Sequence, residues 1–114
     1  MKFSVIVPCY QQLEYLPDAL ESLQDQVYRD FEVIVVSDGD GPPTADLAQR
    51  YGFKAIQQTN RGLASARNTG VMNAVGQYVV PLDADDCLLS TCLEKMAEAI
   101  EQTLSDDNKE TDLF

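Results

Sequence analysis

Tyr78-Val79-Val80-Pro81-Leu82-Asp83-Ala84-Asp85-Asp86 is the stretch that decides the reading of this chain: an apolar run that ends in three carboxylates. Val79, Val80 and Leu82 suit a strand covered on both faces. Pro81 sits near its end, where a missing N–H costs least. Asp83, Asp85 and Asp86 then fall where the chain leaves the sheet. Three like charges this close repel unless something neutralises them. A hard divalent cation, Mg²⁺ or Mn²⁺, takes oxygen ligands of this kind. The plainer alternative is an acidic turn capping the next helix, since Asp is common at turns and N-caps.

The flanking sequence favours a site. Upstream, Phe3 to Val7 reads as a buried strand, with Pro8-Cys9-Tyr10-Gln11-Gln12 as the loop at its carboxyl end. Leu13, Leu16, Leu20 and Leu23 recur at helical spacing, giving an amphipathic helix that ends near Gln26. Pro17 is tolerable only in its first turn. Glu32 to Val36 is a second strand, followed by a sharp loop over Ser37 to Pro43. Thr44 to Tyr51 is a short helix stopped by Gly52, and Lys54 to Gln57 a third strand. A third helix starts near Gly62 and runs through Ala64, Ala66, Val71, Ala74 and Val75 to Gly76; its small residues let it lie close to a sheet. After the Tyr78 to Leu82 strand, Leu89, Leu93, Met96, Ala97, Ile100 and Leu104 form the stripe of a fourth helix. Thr91 and Glu94 offer it a capping box. Ser105 to Thr111 is polar, and Asp112-Leu113-Phe114 reads as the start of a further strand, so the polypeptide is expected either to be cut there or to be a shortened gene product; a frayed end is the alternative.

Strand and helix alternate throughout, which predicts an α/β fold with a mainly parallel sheet and right-handed crossovers. In open sheets of this kind ligands sit outside the carboxyl ends of the strands, where the strand order switches. That rule gathers Tyr10, Asp38 and the Asp83/Asp85 pair onto one edge, although they lie far apart in sequence.

The 114 residues suffice for one domain, 45% of them are apolar, and no stretch approaches the length of a membrane span. The N-terminal residues lack the pattern of a secretory signal. A net charge of −11 argues against a nucleic-acid or anionic-membrane surface. A phosphate ester would need a metal, a helix N-terminus or a few placed arginines. Three cysteines and no histidine make a disulfide scaffold or a zinc site a poor fit. A reducing cytoplasm is the expected setting.

Several motifs fit a phosphate-bearing ligand, and each has a simpler reading. Asp83-Ala84-Asp85 can hold one Mg²⁺ or Mn²⁺ that bridges to a diphosphate. Asp38, at the end of the second strand, can accept a hydrogen bond from a base or ribose, or serve as a turn residue before Gly39. Asn60-Arg61-Gly62 through Arg67-Asn68 brings two cations to a helix start, which suits phosphate, or forms a solvated face. Asp38 to Gly41 mimics a dinucleotide fingerprint, but it lacks the third glycine and runs into two prolines. Tyr10 can stack on a base or cover the sheet end. Cys87 and Cys92 read as small packing residues.

In order and spacing, these pieces resemble the opening of family 2 glycosyltransferases of the GT-A fold. The resemblance rests on Phe3-Ser-Val-Ile-Val-Pro-Cys-Tyr10, Ser22-Leu-Gln-Asp-Gln26 and Asp30-Phe-Glu-Val-Ile-Val-Val-Ser-Asp-Gly39. Asn60-Arg-Gly62, Ala66-Arg-Asn-Thr-Gly70, Ala74-Val-Gly76 and Leu82-Asp-Ala-Asp-Asp86 continue it. It implies a Rossmann-like three-layer sandwich, with residues 1–114 as the donor-binding part and the acceptor- and base-bearing half absent. It implies inverting transfer from a nucleotide-sugar donor, a UDP-sugar above all, with Mn²⁺ or Mg²⁺. The donor-binding positions it assigns are Pro8, Cys9, Tyr10, Asp38, Arg67 and Asp83; Asp83 and Asp85 are the metal positions. Three departures stand out: Ser37 replaces the first acid of the pair after the second strand, Gln11 the usual Asn, and Gly39-Asp40 the usual Gly-Ser. The family's general base belongs to the later half, so the piece is expected to bind donor without transferring sugar. The acceptor is not legible.

A non-catalytic nucleotide-binding or interaction module derived from such an enzyme is the main rival. A phosphoacceptor receiver domain would need an acid pair after the first strand, where Cys9-Tyr10 stands. A nucleotidyltransferase would need a Gly-rich basic loop there. An exposed apolar face, where the missing half would pack, is expected to promote self-association. Membrane attachment would have to come through parts outside this chain.

Overall fold

The computed structural model describes residues 1–105. The order is β1 (Phe3–Cys9), α1 (Leu16–Gln24), β2 (Phe31–Asp38), α2 (Pro42–Arg50), β3 (Lys54–Gln58), α3 (Leu63–Met72), β4 (Tyr78–Pro81) and α4 (Cys92–Ser105). The strands form one parallel sheet in the order β3-β2-β1-β4. The chain steps outward from β1 to β3, then returns to the other side of β1 for β4.

Every residue of β1 is buried, which explains its unbroken apolar run. Alternate side chains serve opposite faces. Phe3, Val5, Val7 and Cys9, with Val33 and Val35 of β2, meet Leu16, Leu20 and Leu23 of α1, Ala48 of α2, and Leu93, Ala97 and Ile100 of α4. Ile6, Ile34 and Val36 point the other way, onto Ala66 of α3. Two helical layers thus enclose the sheet, giving the expected three-layer sandwich. A Cβ on Gly70 would run into the Ile6 side chain, so α3 lies close to the sheet because its inner face is nearly bare.

The termini of several elements differ from the sequence expectation. Both central strands run on, β1 to Cys9 and β2 to Asp38. α1 begins at Leu16, leaving Leu13 in the preceding loop and 41% exposed. α3 stops at Met72 rather than at Gly76. Gly76 instead approaches β1, where a Cβ would come within 2.7 Å of the Phe3 carbonyl carbon. Leu89 lies before α4, exposed like Leu104. Residues 106–114, including most of the polar stretch and the strand start expected at Asp112-Leu113-Phe114, lie outside the described residues. Among the described residues, no helix is long and apolar enough to cross a membrane.

Candidate functional site

β1 and β4 end at different heights. Ile6 pairs with Pro81, and the Leu82 N–H donates to the Ile6 carbonyl at 2.9 Å. β1 continues through Pro8 and Cys9, while the β4 chain turns away. The resulting step lies between the two strands at which the chain reverses its progress across the sheet, the place where open parallel sheets bind ligands.

Asp83, Asp85 and Asp86 occupy that step. Ala84 is fully buried and anchors the segment, so Asp83 and Asp85 on either side project outward. The Asp86 N–H donates to the Asp83 carbonyl at 3.0 Å, and this turn brings the third acid round. One carboxylate oxygen from each of the three lies within 4.8 Å of the others. Opposed oxygens around an octahedral Mg²⁺ stand about 4 Å apart, so small side-chain rotations would suffice. Hard oxygen donors on exposed side chains fit Mg²⁺ or Mn²⁺. Asp86, absent from the expected ligand pair, belongs to the same cluster.

Arg67 faces this cluster from α3, with Nη2 3.3 Å from Asp83 Oδ1. Both side chains are half exposed, so the pair itself adds little stability. It does hold a guanidinium beside the acids. Arg67, Pro81, Leu82, Asp83 and Asp86 line a cavity of about 380 Å³.

Asp38 is 1% exposed and points away from solvent. Oδ1 accepts the Arg61 N–H and the Gln58 side-chain amide, each at 2.9 Å, and Oδ2 accepts the Gly62 N–H at 3.0 Å. Thr69 in turn donates to Gln58 Oε1. Burial alone would raise the Asp38 pKa, but the three donors outweigh it and hold the carboxylate below its usual range. Two of its partners in this chain, Arg61 and Gly62, thus belong to the loop that starts α3, and the third, Gln58, ends β3. The adjoining Gly39 adopts φ 94°, and a Cβ there would meet Asn60 at 3.0 Å.

The three expected donor positions of the first loop differ in exposure. Pro8 and Cys9 are buried, and Tyr10 is 40% exposed. Burial, with the Asp40 carboxylate nearby, pushes the Cys9 thiol up to about 11. It is an inert packing thiol.

Two residues that the sequence reading left without a role brace the acidic loop. Gln26 is buried; its amide donates to the Leu89 carbonyl at 2.7 Å, and its Oε1 accepts the Leu93 N–H at 3.2 Å. Ser22 Oγ accepts the Leu88 N–H at 3.1 Å. The end of α1 thereby positions the segment that leads from Asp86 into α4. Their place in the Ser22 to Gln26 motif was the available signal, but the partners lie more than sixty residues away.

The profile described as Glycosyl transferase family 2 matches residues 4–108. The chain belongs to glycosyltransferase family 2. Among curated relatives, this family 2 chain is 35% identical over 108 residues to the uncharacterized glycosyltransferase EpsJ of Bacillus subtilis (strain 168), covering 90% of this chain and 31% of EpsJ. Among solved structures, it matches S. aureus TarS 1–349 in complex with UDP-GlcNAc with a TM-score of 0.84 and 33% identity, over 91% of this chain and 32% of that one. The mannosyltransferase PcManGT from Pyrobaculum calidifontis, in complex with GDP-Man and Mn²⁺, matches with a TM-score of 0.75 and 26% identity, over 90% and 32% of the two chains. The fold is of the GT-A type. The chain thus spans about a third of the length of these relatives.

Proposed function

We propose that this chain is the donor-binding part of an inverting glycosyltransferase that uses a nucleotide-sugar donor, a UDP-sugar first. The observation that carries the reading is the cluster of Asp83, Asp85 and Asp86 beside Arg67 at the strand-order switch. Support comes from a fold shared with proteins solved with UDP-GlcNAc and with GDP-Man and Mn²⁺. Asp83 and Asp85, joined by Asp86, would hold a divalent cation, whose charge would neutralise a departing diphosphate. Arg67 would add a guanidinium to the same diphosphate. Pro8, Cys9 and Tyr10 would form the wall against the base, Tyr10 by its ring and the buried pair by backbone. Asp38 would act on the donor through the loop it orders. The general base and the acceptor contacts would come from residues beyond this chain, so residues 1–114 alone would bind donor without transferring sugar.

Exposed apolar side chains, among them Met72 at the end of α3, Val75 after it and Leu89 before α4, support a surface that a larger assembly or a second copy covers. Free cysteines support a cytoplasmic setting, where nucleotide sugars are also available.

Calorimetric titration of UDP, with and without Mn²⁺, tests the reading. Mn²⁺-dependent binding that weakens at least tenfold in Asp83→Ala is the expected result. Equal binding by wild type and Asp83→Ala would sink the assigned site. Robust sugar transfer by the purified 114 residues would refute the division between donor binding and catalysis.

A further inference from the structure

The loop after β1 is the one part of the donor wall whose shape the sheet does not dictate. Gln11 adopts φ 54°, and among the described residues it alone combines a side chain with a positive φ. That conformation costs a residue with a Cβ about 1–2 kcal/mol, so something must hold it. The Gln11 N–H donates to the Asp40 carboxylate, at 3.0 Å from each oxygen. Asp40 belongs to the loop between β2 and α2, twenty-nine residues away. It stands where the resembling family usually has Ser, whose shorter side chain bears no charge. The same carboxylate lies close enough to Cys9 to influence its thiol. Asp40 therefore ties the residue after Tyr10 to the loop between β2 and α2.

We propose that Asp40 is a positioning residue for the nucleoside end of the donor, clamping the Tyr10-Gln11 turn so that Tyr10 keeps one position beside the Pro8 and Cys9 backbone that β1 already fixes. The inference rests on the donor-binding reading above. It assigns Asp40 no contact with ligand and no part in holding metal or diphosphate, which the Asp83 cluster and Arg67 serve from the other side of the step. A loop freed from the clamp would have to be reordered on binding, and the affinity would fall by that ordering cost.

The test compares the full chain with Asp40→Ala and Asp40→Asn. Both variants remove the charge, but only Asn keeps an oxygen that can accept the Gln11 N–H. Each protein is titrated with UDP and, separately, with pyrophosphate, both with Mn²⁺. The inference expects UDP affinity about tenfold weaker in Asp40→Ala and within about threefold of wild type in Asp40→Asn, with pyrophosphate affinity unchanged in both. Amide exchange at Gln11 should quicken in Asp40→Ala. An equal loss for UDP and pyrophosphate would mean general damage and overturn the clamp, as would wild-type affinity in Asp40→Ala. Equal losses in the Ala and Asn variants would make charge rather than the hydrogen bond responsible, and also overturn it. Wild type that binds pyrophosphate but not UDP would overturn both the clamp and the nucleotide reading; wild type that binds neither would remove the donor site altogether.

Discussion

Replacing Asp38 separates two roles for a carboxylate at the end of β2. If it touches ligand directly, Asp38→Ala should lower nucleotide affinity and leave the fold alone. The geometry gives the opposite weighting. Three donors within 3.0 Å converge on a carboxylate that is 1% exposed. Hydrogen bonds to a charged group contribute roughly 1.5–3 kcal/mol each. Water can enter the space left by Ala and re-satisfy the Arg61 and Gly62 N–H groups, which lie on exposed residues. The net cost should therefore be about 2–4 kcal/mol rather than the full sum. For a domain of this size that lowers Tm by roughly 10–15 °C. Asp38→Asn should cost nearly as much, because one of its two terminal atoms would present a donor to donors.

Urea unfolding followed by far-UV circular dichroism measures the difference. The pH dependence supplies a second check. The folded pKa of Asp38 is depressed, so its contribution is complete above the ordinary carboxylate range, near pH ~4. It fades as pH falls through the lower folded value, where the native state also takes up the proton. The gap between wild type and Asp38→Ala should thus be widest near neutrality and shrink in acid. Stability within about 0.5 kcal/mol of wild type at pH 7, with UDP affinity lost, would refute the reasoning and return Asp38 to direct ligand contact.

Other perturbations follow from the opposite edge of the sheet and from the thiols. Glu32 is buried and accepts the Ser4 hydroxyl, the Val75 N–H at 2.7 Å and the Lys54 ammonium at 2.7 Å. Glu32→Ala should cost about 2–4 kcal/mol, whereas Lys54→Met should cost about 1 kcal/mol or less because the ammonium side is 61% exposed; equal costs in urea unfolding would contradict this. Its lowered folded pKa gives Glu32 the same sign as Asp38, so that contribution too should fade in acid. Gly76→Ala should destabilise by about 1–3 kcal/mol, since its Cβ would meet Ser4 Oγ at 2.6 Å; unchanged Tm would show that this approach relaxes freely. A thiol reagent at pH 8 should label exposed Cys87 in the folded protein and reach Cys9 only after unfolding, as peptide mapping of the labelled chain can show.

The order of elements was legible in the sequence because a strand buried on both faces must be apolar throughout, while helices on either side carry a periodic stripe. Val5, Ile6, Val7 and Val33 to Val36 announce such strands. The strand-order rule could also gather Tyr10, Asp38 and Asp83 onto one edge before any coordinates. The sequence alone determined the alternation of elements, the acidic step after β4 and the likeness to family 2. Helix starts were less legible, because Leu13 and Leu89 continue the apolar periodicity into exposed positions before α1 and α4. Local spacing carries no information about which leucine the sheet covers.

Only the tertiary structure decided what the polar residues do. Asp38 could serve a ligand or a turn when read in its own segment; its partners at Arg61 and Gly62 turn it inward. Asp40 looked like a departure from a motif until β1 and β2, paired side by side, brought it to the Gln11 N–H. Gln26 likewise acquired meaning from α4. Apolar burial is set by pattern along a chain, which a sequence displays directly. A hydrogen bond is set by distance and direction between two groups, and here those groups lie twenty to sixty-seven residues apart.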